Sequence, residues 1–294
     1  MENGTADAIA VAAEHGRICA VAMDCQLDLW SCARRHPDLF PPDPFDARLF
    51  SAIALVNAFG SPGCTPDELA IATRTTLWVF AADWRVDHAA TSADEIGEIV
   101  RACLAVADGG SGSGPLAAFL AEIRDELATS APFATLGHVW RDELERYLTA
   151  AAREWRWKTA RDTGPTFAEY LDNSDNIAST WVNVSHWLFT CGPRALDRLP
   201  DLVAASREVQ RVLRLLNDLA SYERDLRWGD LNALLLGVDR AEVGARVAAL
   251  VADCAKAFEP LRAACPQEVA YLERQLGYST GFYGMTDYWG KSDG

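Results

Sequence analysis

The 294-residue chain carries 27 basic against 42 acidic residues, a formal charge of −15 and a pI near 4.7. This argues against nucleic acid or an anionic membrane as its main partner, because both select basic patches. Half of the residues are hydrophobic and ten are tryptophan, enough to bury a sizeable core and to furnish aromatic walls for a cavity.

From the N-terminus, MENGTADAIAVAAEHGR is acidic and polar rather than a basic region followed by an apolar run, so no secretory signal is expected. No stretch of about 18 uncharged apolar residues predicts a membrane span. Eight cysteines without a CxxC pair or zinc-like spacing read as reduced core residues, and a cytoplasmic location is the expectation. Apolar residues recur at helical spacing almost throughout, without alternating β runs bounded by hairpin turns, which predicts an all-α fold. Breaks are expected at Pro41-Pro42-Asp43-Pro44, Ser61-Pro62-Gly63, Asp108 to Pro115, Thr163-Gly164-Pro165, Cys191-Gly192-Pro193 and Gly237. Thr65 ahead of Pro66-Asp67-Glu68, and Thr166 three positions before Glu169, are the expected helix caps. None of the breaks has the length or composition of a domain linker, and GGSGSG reads as an inter-helix loop. Residues 1–294 are therefore read as a single domain without internal repeats.

Two stretches carry chemistry. Leu77 to His88, LWVFAADWRVDH, places Asp83 and Asp87 four apart on one helical face, after an apolar run containing Trp78 and Phe80. Two aspartates on a solvated helix end are the plainer reading of that pair. Arg207 to Leu236, REVQRVLRLLNDLASYERDLRWGDLNALLL, places Asn217, Ser221 and Asp225 at i, i+4 and i+8. Four residues turn a helix by about 400°, so the three side chains leave nearly one face with a drift of about 40° per step. An amide oxygen, a hydroxyl and a carboxylate can then meet at one point. Hard oxygen ligands with room left for water and phosphate oxygens describe a Mg²⁺ site completed by its substrate. Arg224, beside the last ligand, is placed to reach a phosphate on that metal. An ordinary polar stripe on a surface helix is the alternative.

The wording of NDLASYERDLRWGDLNAL resembles the metal-binding helix of microbial class I terpene cyclases, written (N/D)DxxSxxxE, with Asp225 in place of the final Glu. LWVFAADWRVDH is similar to that family's DDxxD motif: Asp83 and Asp87 keep its first and last aspartates, and Trp84 replaces the second. Asp83 and Asn217 stand 134 positions apart, a separation that looks typical of the family. Between them, Pro165 to Leu171 (PTFAEYL) resembles the segment opening the helix that carries a diphosphate-sensing arginine, yet Asp172 to Asn176 contain no arginine. Ile177-Ala178-Ser179-Thr180 matches the place where that helix breaks toward the substrate cavity. Near the C-terminus, Asp287-Tyr288 stands where many relatives have an Arg-Tyr pair.

On these residues the chain is identified as a member of the bacterial class I terpene cyclases. The resemblance implies a helical bundle around a central cavity and a prenyl diphosphate as the small-molecule substrate. It implies three Mg²⁺ ions, held by Asp83 and Asp87 on one side and by Asn217, Ser221 and Asp225 on the other. It further implies Arg224 on the phosphates, Ala178 and Ser179 at the helix break, and pairing into homodimers. Trp78, Phe80, Trp181 and Trp187 are the candidate aromatic wall around a carbocation, with core packing as the competing role for each. No DxDD motif is present, which argues against protonation-initiated cyclisation. The altered aspartate motif, the missing arginines and the short tail look more like the compact actinobacterial cyclases that act on bicyclic copalyl-type diphosphates. Labdane-related diterpene synthesis is therefore the expected subclass. The alternatives are a sesquiterpene cyclase acting on farnesyl diphosphate, a chain-elongating prenyltransferase and a non-catalytic helical binding homologue. The elongating enzyme would need a second Asp-rich motif, where this chain has Asn-Ser-Asp.

Overall fold

In the computed structural model, which describes residues 2–160 and 164–290 with side chains from residue 7, helix boundaries follow the caps marked in the sequence. Helix α1 (Glu2–Arg35) ends ahead of the proline-rich turn, and Asp46 starts α2 (Ala47–Gly60) by accepting the N–H groups of Arg48 and Leu49. Thr65 and Glu68 form a capping box that opens α3 (Pro66–Trp84), which runs on into a π-helical turn over Arg85–Ala89. Ser92 caps α4 (Ala93–Ala107), and the glycine-rich stretch is the loop before α5 (Pro115–Leu127) and then α6 (Phe133–Thr159). Of the expected break at residues 163–165, Thr163 lies outside the described residues. The Thr166–Glu169 capping box starts α7 (Phe167–Asp172), and a 3₁₀ turn over Ser174–Ile177 leads to α8 (Ser179–Thr190). Helices α9 (Pro193–Leu196), α10 (Leu199–Trp228), α11 (Arg240–Phe258) and α12 (Pro266–Tyr283) complete an all-α fold. There is no strand among the described residues, and no described helix is long and apolar enough to cross a membrane. All eight cysteines are unpaired.

One boundary departs from the expected one. The sequence places the break after the acidic helix at Gly237, but α10 stops at Trp228, where Gly229 takes φ 72° and the Asp230 N–H returns to the Asp225 carbonyl at 2.9 Å. A side chain at Gly229 would strain that left-handed turn, so the glycine is what ends the helix here. The chain then folds back along the last turns of α10, bringing residues 230–232 beside Asp225.

Helix α3 packs against α1, α2, α5 and α8, while α10 packs against α8, α11 and α12. Trp78, Trp140, Trp181 and Trp187 are fully buried between these layers. The Trp78 ring meets Trp181 at 5.1 Å, and Trp181 meets Trp140 at 5.5 Å. Two of their indole N–H groups are hydrogen-bonded in the core, Trp78 donating to the Leu116 carbonyl and Trp140 to Ser185 Oγ, whereas those of Trp181 and Trp187 have no partner among the described residues.

The same packing buries His186 on α8, 4% exposed, with Nε2 2.9 Å from Ser61 Oγ. Burial disfavours its charged form and lowers its pKa from 6.5 to about 4. As pH falls, the unfolded chain therefore binds a proton near 6.5 before the folded chain does. The stability from neutral His186 is complete above that pH and is lost on descending toward 4, by roughly 2 kcal/mol between pH 7 and pH 5. Thermal denaturation at the two pH values should show a larger decline for wild type than for His186→Gln; equal declines would exclude this group as the source.

Candidate active site

A cavity of about 200 Å³ lies among α2, α3, α8, α10 and α12. Val56, Phe80, Val182, Leu213, Tyr283 and Trp289 supply apolar wall, while Asp83, Asp87, Asn217, Arg224, Asp225 and Asp230 make the cavity polar. Phe80 faces Tyr288 and Trp289, each 5.2 Å from its ring. Ser179 also lines the cavity.

Four other residues read from the sequence as wall or substrate contacts stand elsewhere. Trp78 and Trp181 belong to the buried tryptophan stack behind the cavity, because the helical face that carries them turns toward α5 and α6. Trp187 is likewise core, with its ring 6.2 Å from Tyr271. Ala178 does break the helix, at φ 57°, but it is buried and its carbonyl accepts the Val182 N–H at 3.1 Å as the first acceptor of α8. Its neighbours Ile177 and Ser179 reach the cavity instead.

The two acidic stretches form opposite rims. On one, burial and the nearby Asp230 and Glu154 carboxylates raise Asp83 to about 6, and burial together with Asp83 pushes Asp87 well above the usual carboxylate range. Carboxyl groups crowded this way need shared protons or a cation. On the other rim, Ser221 Oγ sits within hydrogen-bond distance of Asp225 Oδ2 and 3.5 Å from Asn217 Oδ1, so the three side chains share one face. Asn232 Nδ2 donates to Asp225 Oδ2 at 2.8 Å and to the Asp218 carbonyl at 2.9 Å. Among the described residues no three acidic, His or Cys side chains converge into a ready ion cage. The donors are instead divided between the rims, and two of them are amide and hydroxyl oxygens. Such a hard-oxygen set, open between its halves, fits Mg²⁺, which keeps waters and takes phosphate oxygens rather than filling an all-protein cage.

Arg224 lies against the second rim, with Nη2 2.9 Å from Asp225 Oδ1, Nη1 2.7 Å from Asp287 Oδ2 and its guanidinium 5.2 Å from the Trp228 ring. Trp84, which replaces the middle aspartate, packs on His88 at 4.6 Å and on Trp228 and Trp289 at 6.0 and 6.1 Å. It contributes to an aromatic cluster rather than an oxygen ligand.

Several site residues escaped sequence reasoning. Arg214 donates through Nε to Tyr170 Oη and through Nη2 to Glu154 Oε1, both at 2.7 Å, and Tyr170 Oη donates to Asp218 Oδ1 at 2.8 Å. Lys158 Nζ donates to the Asp87 carbonyl at 2.9 Å and pairs with Asp230, tying the two rims together. Glu154–Lys158 and Arg214–Asp218 are i, i+4 pairs on their helices, a visible pattern, but spacing alone does not say which helical face meets a cavity.

Residues 74–254, which span both rims, match the family described as terpene synthase family 2, C-terminal metal binding. The chain belongs to this family. As a class I terpene cyclase, it converts a prenyl diphosphate to a terpene with the help of bound metal. The terpene synthase is 26% identical over 279 residues to ent-pimara-9(11),15-diene synthase from Streptomyces sp. (strain KO-3988), covering 92% of this chain and 93% of that one. Its fold is shared with linalool/nerolidol synthase from Streptomyces clavuligerus in complex with 2-fluorogeranyl diphosphate, at TM-score 0.68 and 17% identity over 90% of this chain and 97% of that one. It is shared equally with 2-methylisoborneol synthase from Streptomyces coelicolor A3(2) in complex with Mg²⁺ and 2-fluoroneryl diphosphate, at TM-score 0.69 and 16% identity over 90% of each chain.

Proposed function

We propose that this terpene synthase ionises a bicyclic, copalyl-type diterpene diphosphate and closes the resulting cation to a diterpene. The observation that carries the substrate class is the alignment over 92% of the chain with a synthase named for a pimaradiene, a diterpene hydrocarbon. The two rims open onto one cavity, which supports their acting as halves of one diphosphate clamp.

In this reading Asp83 and Asp87 hold metal on the α3 rim, and Asn217 Oδ1, Ser221 Oγ and the Asp225 carboxylate hold it on the α10 rim. Mg²⁺, three ions by family resemblance, supplies the charge that makes diphosphate a good leaving group. Ser221, Asn232 and Arg224 fix the Asp225 carboxylate from three sides, so little reorganisation is needed when substrate arrives. Arg224 offers Nη1 and Nε to the phosphate oxygens. Phe80, Tyr283, Tyr288 and Trp289 exclude water and turn ring surface toward the cation.

Incubation with Mg²⁺ and farnesyl, geranylgeranyl or copalyl-type diphosphates, with products separated by gas chromatography and mass spectrometry, tests the reading. The expected result is a diterpene hydrocarbon or alcohol from the bicyclic substrate. Cyclised sesquiterpene from farnesyl diphosphate alone would replace this substrate class. Elongated diphosphates would indicate chain extension, and inertness toward all three would leave a binding homologue.

A further inference from the structure

The two arginines that line the cavity differ in how they are satisfied. Arg214 is committed through Nε and Nη2 to Tyr170 and Glu154. Arg224, only 8% exposed, has no aligned hydrogen-bond partner at Nε or Nη1 among the described residues, although Asp287 Oδ2 lies 2.7 Å from Nη1. A buried guanidinium is costly unless its N–H groups are matched. The Asp287 contact supplies charge without full bonding geometry, so a better-shaped anion gains by replacing it.

Asp287, 6% exposed, arrives on a strap of residues 284–290 that follows α12. Aromatic contacts hold that strap over the cavity: Trp289 packs edge-on against Phe45 and Phe80 at 5.4 and 5.2 Å, and Tyr288 meets Phe282 at 4.8 Å. The carboxylate is thereby held against the Nη1 edge of Arg224, the arginine that itself lines the cavity.

We propose that Asp287 is a resident anion, occupying the anion-binding edge of Arg224 in the resting chain and yielding it only to a diphosphate that arrives with metal charge. The inference rests on the reading that Arg224 meets the substrate diphosphate. A bare diphosphate approaching Arg224 faces the negative charges of Asp225 and Asp287 and must evict the second of them. A metal-neutralised diphosphate does not meet the same repulsion. Asp287 thus makes anion capture conditional on metal, and acts as a positioning residue through Arg224.

Isothermal titration calorimetry of the full chain with inorganic pyrophosphate, with and without Mg²⁺, reads this coupling directly. Asp287→Asn is expected to bind metal-free pyrophosphate at least about tenfold more tightly than wild type, the scale of one charge-assisted hydrogen bond. The enhancement by Mg²⁺ should shrink by the same factor. In an Arg224→Gln background the gain from Asp287→Asn should vanish. If Asp287→Asn does not fold, Asp287→Ser provides the same comparison. Unchanged or weaker metal-free binding in the folded variant overturns the inference while leaving the diphosphate site in place. Absence of pyrophosphate binding to wild type even with Mg²⁺ overturns the reading beneath it, and the inference with it.

Discussion

Asp83→Asn is expected to slow diphosphate release by about 10²–10³-fold, the cost of removing one fixed electrostatic partner from a transition state that develops charge. The side chain stands at the end of α3, on the cavity, with carboxylates at Asp87, Asp230 and Glu154 around it. That crowding makes the sign of the stability change informative. An amide removes a charge that burial and like-charged neighbours already disfavour, so the variant should melt at or above the wild-type temperature while losing turnover. A purely structural aspartate would lose both together. The check is a coupled pyrophosphate-release assay beside a thermal melt; an unchanged rate would remove Asp83 from the clamp.

Arg214→Met is expected to have the largest effect on stability, roughly 3–5 kcal/mol, because it leaves buried charge unpaired. The guanidinium lies 4.2 Å from the Tyr170 ring centroid and connects α10 to Glu154 of α6 and Tyr170 of α7. Burial already pushes Asp218, one turn along, up to about 7, and Arg214 is the main group opposing that rise. Loss of the cation strands both carboxyls. At about 2–4 °C per kcal/mol for a chain of this size, the melting temperature should fall by on the order of 10 °C. Adding Glu154→Gln should recover part of the loss, since it removes one of the unpaired charges. A decline below about 1 kcal/mol would show that water or protonation satisfies the pocket without Arg214.

The helical periodicity, the two capping boxes and the i, i+4, i+8 face of α10 were legible because each depends on residues within a few positions of one another. What depends on tertiary rotation was not. Trp78 and Phe80 are two apart on α3, yet one faces the tryptophan stack and the other the cavity, a difference of helical phase that only the packing of α5 and α8 decides. Asp230 could not be placed beside Asp83 from sequence, because its position follows from the Gly229 turn ending α10 earlier than Gly237 suggested. Trp84 reads in sequence as a lost ligand. In the fold it is an aromatic contact for Trp228 and Trp289, from residues far away in the chain.

The central claim is that Asp83 on α3 and the Asn217–Ser221–Asp225 face on α10 hold one diphosphate between them. A double-mutant cycle on pyrophosphate release, comparing Asp83→Asn, Asp225→Asn and the double variant with Mg²⁺ and the substrate found by product assay, tests it most directly. One clamp predicts that the double variant is about as slow as the slower single variant, because groups that act as a unit are not additive. Losses that multiply, to about 10⁴–10⁶-fold, would show two independent sites and contradict the account.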